Sequence, residues 1–176
     1  MEQWDIYDIN RNKTGRIMNR GEELKNGEYH LAVQVCIFNE KGQMLIQQRQ
    51  PFKSDWSNMW DITTAGSALA GETSQQAAER ELFEELGYRI DLTNIPPKFT
   101  VNFDGGFCDI YLIERDVDIE ILTLQYEEVQ AVKWAGREEI LEILDRREFI
   151  TYYKSLIELM FDGRKSYGSH SSEELK

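Results

Sequence analysis

The stretch Gly66–Tyr88, GSALAGETSQQAAERELFEELGY, decides how the rest of the chain is read. It opens as a glycine-punctuated loop, and Thr73 with Gln76 three positions on predicts a capping box that starts a helix. Gly87 predicts the end of that helix. Ala78, Leu82 and Leu86 recur at three-to-four-residue spacing and predict a buried stripe, while Glu81, Glu84 and Glu85 fall within about 100° of one another on another, exposed face. Like charges at such spacings repel, and all three lie toward the C-terminal end, where the helix dipole disfavours anions. A hard divalent cation would offset that repulsion, since Mg²⁺ and Mn²⁺ take oxygen ligands and Mg²⁺ commonly joins one or two carboxylates to substrate phosphates. The competing reading is a solvated acidic face in a chain with 32 acidic residues.

The wider spacing separates the two readings. Gly66, Glu72, Arg80, Glu81, Glu84, Glu85 and Gly87 fit G-x5-E-x7-R-E-U-x-E-E-x-G-U, where U is a bulky apolar residue. Seven fixed positions match by chance about once in 10⁷ placements. Leu82 fills the first U, and Tyr88 stands where the last is usually aliphatic. The pattern resembles the Nudix box.

Outward from the box, the composition is that of a globular protein. The 176 residues, 41% hydrophobic and 11% aromatic, suffice for one domain with a full core, expected over 1–162, followed by a polar tail at 163–176. A net charge of −12 without a segregated basic patch argues against a nucleic-acid backbone or an anionic membrane as partner. Cys36 and Cys108 lie far apart in apolar contexts and have no metal spacing, so they read as small core residues in a reducing compartment. No secretory pattern opens the chain and no run of 18 apolar residues occurs, which makes a cytoplasmic location the expectation.

Along the chain, WDIYDI and GRIMNR predict an N-terminal hairpin over 4–20 with its turn at Asn10–Gly15. Leu31–Phe38 and Met44–Gln48 predict antiparallel core strands around a turn at Asn39–Gly42. Arg49 and Lys53 follow in a polar loop, SDWSNMW, where a cationic pair could reach a diphosphate or simply be solvated. Lys98–Phe103 and Phe107–Glu114 flank Asp104-Gly105-Gly106 as a second hairpin, and Glu127-Glu128-Val129 leads into a short strand ending at Trp134. Helical periodicity spans Arg137–Leu144 and Glu148–Phe161, with Ile140, Leu144, Phe149, Tyr153, Leu156 and Met160 inward. From Asp162 the Gly, Ser and charged residues read as a mobile end.

The resemblance to the Nudix family implies an α/β (α+β) fold, a mixed β-sheet sandwiched between helices. It implies hydrolysis of a phosphoanhydride in a nucleoside di- or triphosphate, or in a nucleoside diphosphate linked to another moiety, with Mg²⁺ or Mn²⁺. Glu81 and Glu85 then correspond to the principal metal ligands, with Glu84 and the backbone carbonyl of Ala65 as further ones. Gly66, Glu72, Arg80 and Gly87 correspond to structural box positions, Glu72 and Arg80 pairing to hold the loop against the helix. The general base is a box glutamate or an acid on a later loop, with Glu127 or Glu128 the candidate, Glu128-Val129 to Trp134 being similar to a segment near the end of many Nudix domains. An acidic turn between strands is the plainer reading of that pair. The implied partner is a small nucleotide or diphosphate compound, and a homodimer is left open.

Outside the box, WDIYD, GEYHLAV, LIQQR and WDITTAG resemble the branch related to isopentenyl-diphosphate isomerase, in which a histidine matching His30 ligates a metal. The isomerase carries a catalytic cysteine just before the box, in a segment like TNTCCSHP. This chain reads DITTAGSA there, and protonating an alkene needs an acid that no residue of that segment supplies. Isomerase activity and a non-catalytic nucleotide-binding role are the alternatives to hydrolysis. His30 reads as a satisfied core or strand-end histidine rather than a ligand. Marks of ADP-ribose, NADH and coenzyme A specificity are missing, so the substrate's second moiety stays open.

Overall fold

The computed structural model describes residues 1–165 and 168, and most of the expected tail lies outside them. Two strands, β1 (Gln3–Tyr7) and β2 (Lys13–Asn19), form the N-terminal hairpin. Seven more, β3 (His30–Phe38), β4 (Met44–Arg49), β5 (Trp60–Asp61), β6 (Thr64–Ser67), β7 (Phe99–Phe103), β8 (Gly106–Glu114) and β9 (Val129–Ala135), form a mixed sheet. Its main path runs β5-β4-β3-β8-β7, with β6 paired to β3 and β9 to β4. β3 and β8 are parallel over the whole length from His30↔Gly106 to Phe38↔Glu114, so this pair is the spine of the fold.

Three helices cover the sheet: α1 (Ser74–Leu86), α2 (Arg137–Asp145) and α3 (Lys154–Gly163). Strand alternation decides which face each one covers. Leu31, Val33, Val35 and Ile37 of β3 pack with Ala77, Ala78, Leu82 and Leu86 of α1. Cys36 and Phe38 face the other way, onto Ile140 and Ile143 of α2 and Ile157, Met160 and Phe161 of α3. The mixed sheet between helices is thus the observed architecture, and both cysteines are buried in it. Among the described residues no helix is long and apolar enough to cross a membrane.

Three local expectations are corrected. The first hairpin turns at Asp8–Asn12, not Asn10–Gly15, because the Asp8 carboxylate accepts the backbone N–H groups of Asn10 and Asn12 at 2.9 Å each and closes the loop early. Gly15, at φ 82°, sits inside β2 where the pairing register shifts between Asp5 and Tyr7, so it accommodates a bulge. Next, β3 and β4 pair only at Phe38↔Met44. The Thr63 hydroxyl lies between them, accepting from Ile37 N (2.9 Å) and donating to Leu45 O (2.6 Å), and β4 instead pairs along its length with β9. Last, 148–153 is not helical. Trp60 N–H donates to Glu148 O (2.7 Å) and Ile150 N–H to Trp60 O (2.8 Å), which holds the segment extended against β5. Phe149 is buried as expected, but Tyr153 is 82% exposed at the start of α3 and Ile157 takes the interior position.

Candidate metal centre

α1 begins and ends where its residues require. Thr73 Oγ1 accepts from Gln76 N–H (3.2 Å), Gln76 Oε1 accepts from Thr73 N–H (2.9 Å), and Gly87 closes the helix at φ 66°. Ala78, Leu82 and Leu86 are wholly buried, each leucine contributing about 2 kcal/mol by removal from water. That anchoring sets the azimuth of the three glutamates.

They do not share one exposed face. Glu84 is exposed, Glu81 is half-buried, and Glu85 is 6% exposed, pointing into the sheet. Glu85 lies seven residues after Ala78, almost two turns, so the periodicity that buries Ala78 buries Glu85 as well. Its Oε2 accepts from the Gln47 Nε2 (2.9 Å) and from the Thr64 hydroxyl. Burial pushes the Glu85 carboxyl up to about 8, against the hydrogen bonds from Thr64 and Gln47, with the negative charges of Glu81 and Asp61 adding to the rise. Burial likewise raises Glu81, which the Arg80 guanidinium partly offsets.

Arg80 ties the loop to the helix. Its Nε and Nη2 hold Glu72 at 2.7 and 3.1 Å, Nη2 also donates to Ser67 O (2.9 Å), and Nη1 donates to Glu81 Oε1 and Glu84 Oε2, both at 2.9 Å. Glu72 further accepts the Leu69 N–H at 2.8 Å. Gly66 lies directly under Glu81: a Cβ there would fall 2.1 Å from the carboxyl carbon. Only a glycine lets that carboxylate rest on the β6 backbone, one residue from Ala65.

Among the described residues no three His, Cys, Asp or Glu side chains stand as a ready cation cage. The donor set nevertheless fits a hard cation: carboxylates of Glu81 and Glu85, with the backbone of Ala65 beside Gly66, are oxygen donors of the type Mg²⁺ and Mn²⁺ take. A buried amide oxygen, Gln47 Oε1, has no hydrogen-bond partner next to them. Arg80 Nη1 is the positive charge that meets Glu81 and Glu84 in this structure.

A family match fits this geometry. The NUDIX domain matches residues 28–155. An uncharacterized Nudix hydrolase of Listeria monocytogenes is 52% identical over 153 residues, 87% of this chain and 90% of that one. The chain belongs to the Nudix family. An isopentenyl-diphosphate Delta-isomerase of Pectobacterium atrosepticum is a more distant Nudix relative, 29% identical over 175 residues, covering 95% of this chain and 96% of that one. The crystal structure of DR0079 from Deinococcus radiodurans shares the fold at a TM-score of 0.72 and 23% identity, over 90% of this chain and 97% of that one.

Two of the remaining expected residues of this Nudix protein, Lys53 and Glu128, meet at one corner. Lys53 Nζ pairs with Glu128 Oε1 at 2.6 Å, so the loop cation and the late acid hold each other. The turn bearing Glu128 is fastened to α1 by Gln125 N–H on Glu85 O (2.9 Å). Arg49 reaches back to its own loop, Nε donating to Asp55 O at 3.3 Å. His30 stands apart from this corner, stacked on Trp4 (centroids 4.5 Å, 12° between planes) with Phe103 edge-on. It is a packed strand-end residue, but its buried Nδ1 lacks a hydrogen-bond partner, which corrects the expectation of a satisfied ring. Sequence reasoning missed Gln47 and Thr64. The available signal was Gln47 itself, a polar residue two after Leu45 on the inward face of an apolar strand.

Proposed function

We propose that this Nudix pyrophosphohydrolase cleaves a phosphoanhydride bond in a nucleoside di- or triphosphate or a nucleoside diphosphate derivative, with Mg²⁺ or Mn²⁺. The observation that carries the reading is the interior carboxylate Glu85, one turn from Glu81 over Gly66, on a helix docked firmly enough to hold both. Glu81, Glu85 and the Ala65 carbonyl would hold the metal, with Glu84 as a further donor. The bound cation would offset charge growing on the leaving phosphate and lower the pKa of an attacking water. The protein supplies the rest. Arg80 and Glu72 keep the loop on the helix, Thr64 and Gln47 aim Glu85, and Arg49 and Lys53 contact substrate phosphates when the Lys53–Glu128 pair opens. Glu128, released by that opening, is the candidate proton acceptor.

The isomerase relative spans nearly the whole chain, so alkene isomerisation is the second reading. Thiol chemistry argues against it: Cys36 and Cys108 are buried on the sheet face opposite the box helix, and burial pushes the Cys108 thiol up to about 12. Two incubations test the choice. A panel of nucleotides and nucleotide sugars with Mg²⁺ should yield phosphoanhydride cleavage that stops in excess chelator. Isopentenyl diphosphate in deuterated water should yield no deuterated dimethylallyl diphosphate. Undiminished turnover in chelator would sink the metal assignment, and deuterium incorporation at a catalytic rate would replace hydrolysis with isomerisation.

A further inference from the structure

β4 is apolar until it passes α1. Met44, Leu45 and Ile46 are wholly or almost wholly buried, and Gln47, next in line, is 2% exposed. A glutamine so placed needs partners at both ends of its amide. Nε2 has one, the Glu85 Oε2 at 2.9 Å. Oε1 is buried and has none. Exchanging the amide's oxygen and nitrogen does not help, because an oxygen would then face a carboxylate and the nitrogen would be left over. A leucine or methionine would remove the orphaned oxygen but also the donor to Glu85, so the bond to Glu85 accounts for Nε2 and leaves Oε1 unaccounted for.

Glu85 has a matching deficit. Its two described hydrogen bonds come from neutral groups and end on the same oxygen, and the charges acting on it, Glu81 and Asp61, are negative. A buried carboxyl group bonded to an amide whose oxygen has no donor leaves room at both points for a positive centre. Hard cations accept side-chain amide oxygens together with carboxylates, and an amide adds a donor without adding charge where carboxylates already repel.

We propose that Gln47 belongs to the metal site: Nε2 fixes Glu85, and Oε1 serves the divalent cation as a neutral oxygen donor. This rests on the metal-dependent reading above and extends it from the box helix to β4.

The test is Mn²⁺ titration of the full chain without substrate, following the free ion by electron paramagnetic resonance and the melting temperature in parallel. In the Gln47→Leu variant, Mn²⁺ binding should weaken on the order of 10-fold or more, and the Mn²⁺-induced rise in melting temperature, taken from the variant's own metal-free melt, should shrink with it. Gln47→Met serves the same purpose if the leucine variant does not fold. Gln47→Glu keeps an oxygen but loses the N–H donor, and should bind Mn²⁺ within roughly threefold of wild type or tighter. Wild-type affinity in the leucine or methionine variant removes Gln47 from the site. A glutamate variant as weak as the leucine one overturns the oxygen's role and leaves only the positioning of Glu85. If wild type itself binds no Mn²⁺, the metal-dependent reading fails first, and the titration shows that separately.

Discussion

Glu85 joins two demands that oppose each other, burial against the sheet and negative charge. Thr64 and Gln47 soften the conflict by donating to one oxygen, and in a Glu85→Gln variant the new amide oxygen accepts both bonds. Turnover should therefore fall on the order of 10²-fold or more while the melting temperature stays within a few degrees. Steady-state kinetics beside a thermal melt check this, and normal turnover removes Glu85 from the metal site. At this scale the sequence was informative about identity and poor about direction. Glu72 and Arg80 do pair, as read from the box, but the hold of Arg80 on Glu81 and Glu84 depends on where the guanidinium sits between loop and helix. The i, i+7 relation of Ala78 and Glu85 was available in the sequence. Repulsion among three neighbouring charges favours an exposed face, and that periodicity outweighs it at Glu85.

Among elements, the junction of β3, β4 and β6 matters most for the site. Thr63 is wholly buried, and its hydroxyl both accepts from Ile37 N–H and donates to Leu45 O, standing in for ladder bonds that the diverging strands cannot make. The divergence lets β6 run beside β3, from Val35↔Thr64 to Ala32↔Ser67, and this brings Ala65 and Gly66 under α1. Thr63→Val keeps the shape and orphans two buried backbone groups, a loss of roughly 2–5 kcal/mol. In a chain of this size the melting temperature should drop by on the order of 5–15 °C. A calorimetric change under 2 °C would show that the split does not need the hydroxyl. The hairpin pattern around Asn39–Gly42 concealed this junction, because two apolar runs around a turn look the same whether or not a third residue parts them.

Across the whole molecule, buried acids shape the pH response in opposite senses. Asp109 is raised by burial, but bonds from Arg11 and Thr100 more than offset this and hold it below the ordinary carboxylate range. Arg11 grips it at both oxygens, 3.0 and 2.9 Å, which fastens the N-terminal hairpin to the sheet. Asp61 has no such ion pair among the described residues, only the weaker pull of the Arg49 charge. Burial pushes it up to about 6, against hydrogen bonds from Tyr152 and Ile62 N–H. Because its folded value exceeds the ordinary 3.8, the folded state binds the proton more tightly, and stability falls as pH rises from about 4 through about 6. The loss approaches 2–3 kcal/mol on the order-of-magnitude scale of one pKa unit per 1.4 kcal/mol. Asp61→Asn, whose amide oxygen can accept both bonds, should melt higher than wild type at pH 8 and lose that advantage toward pH 4. Melts across that range decide it, and an advantage independent of pH would remove Asp61 as the cause.

Short-range chemistry alone determined the box helix, its caps, the pattern of carboxylates, the Asp104-Gly105-Gly106 hairpin and the family, because each depends on spacing within a few turns. The sandwich followed from the family resemblance that the box carries. What only the tertiary structure decided were contacts between distant segments: Gln47 and Thr64 on Glu85, Thr63 between β3 and β4, Glu128 on Lys53, and the capture of 148–153 by Trp60. Burial and electrostatics depend on which surfaces meet. The periodicity of a segment records that it has an inside, but not which residue waits there.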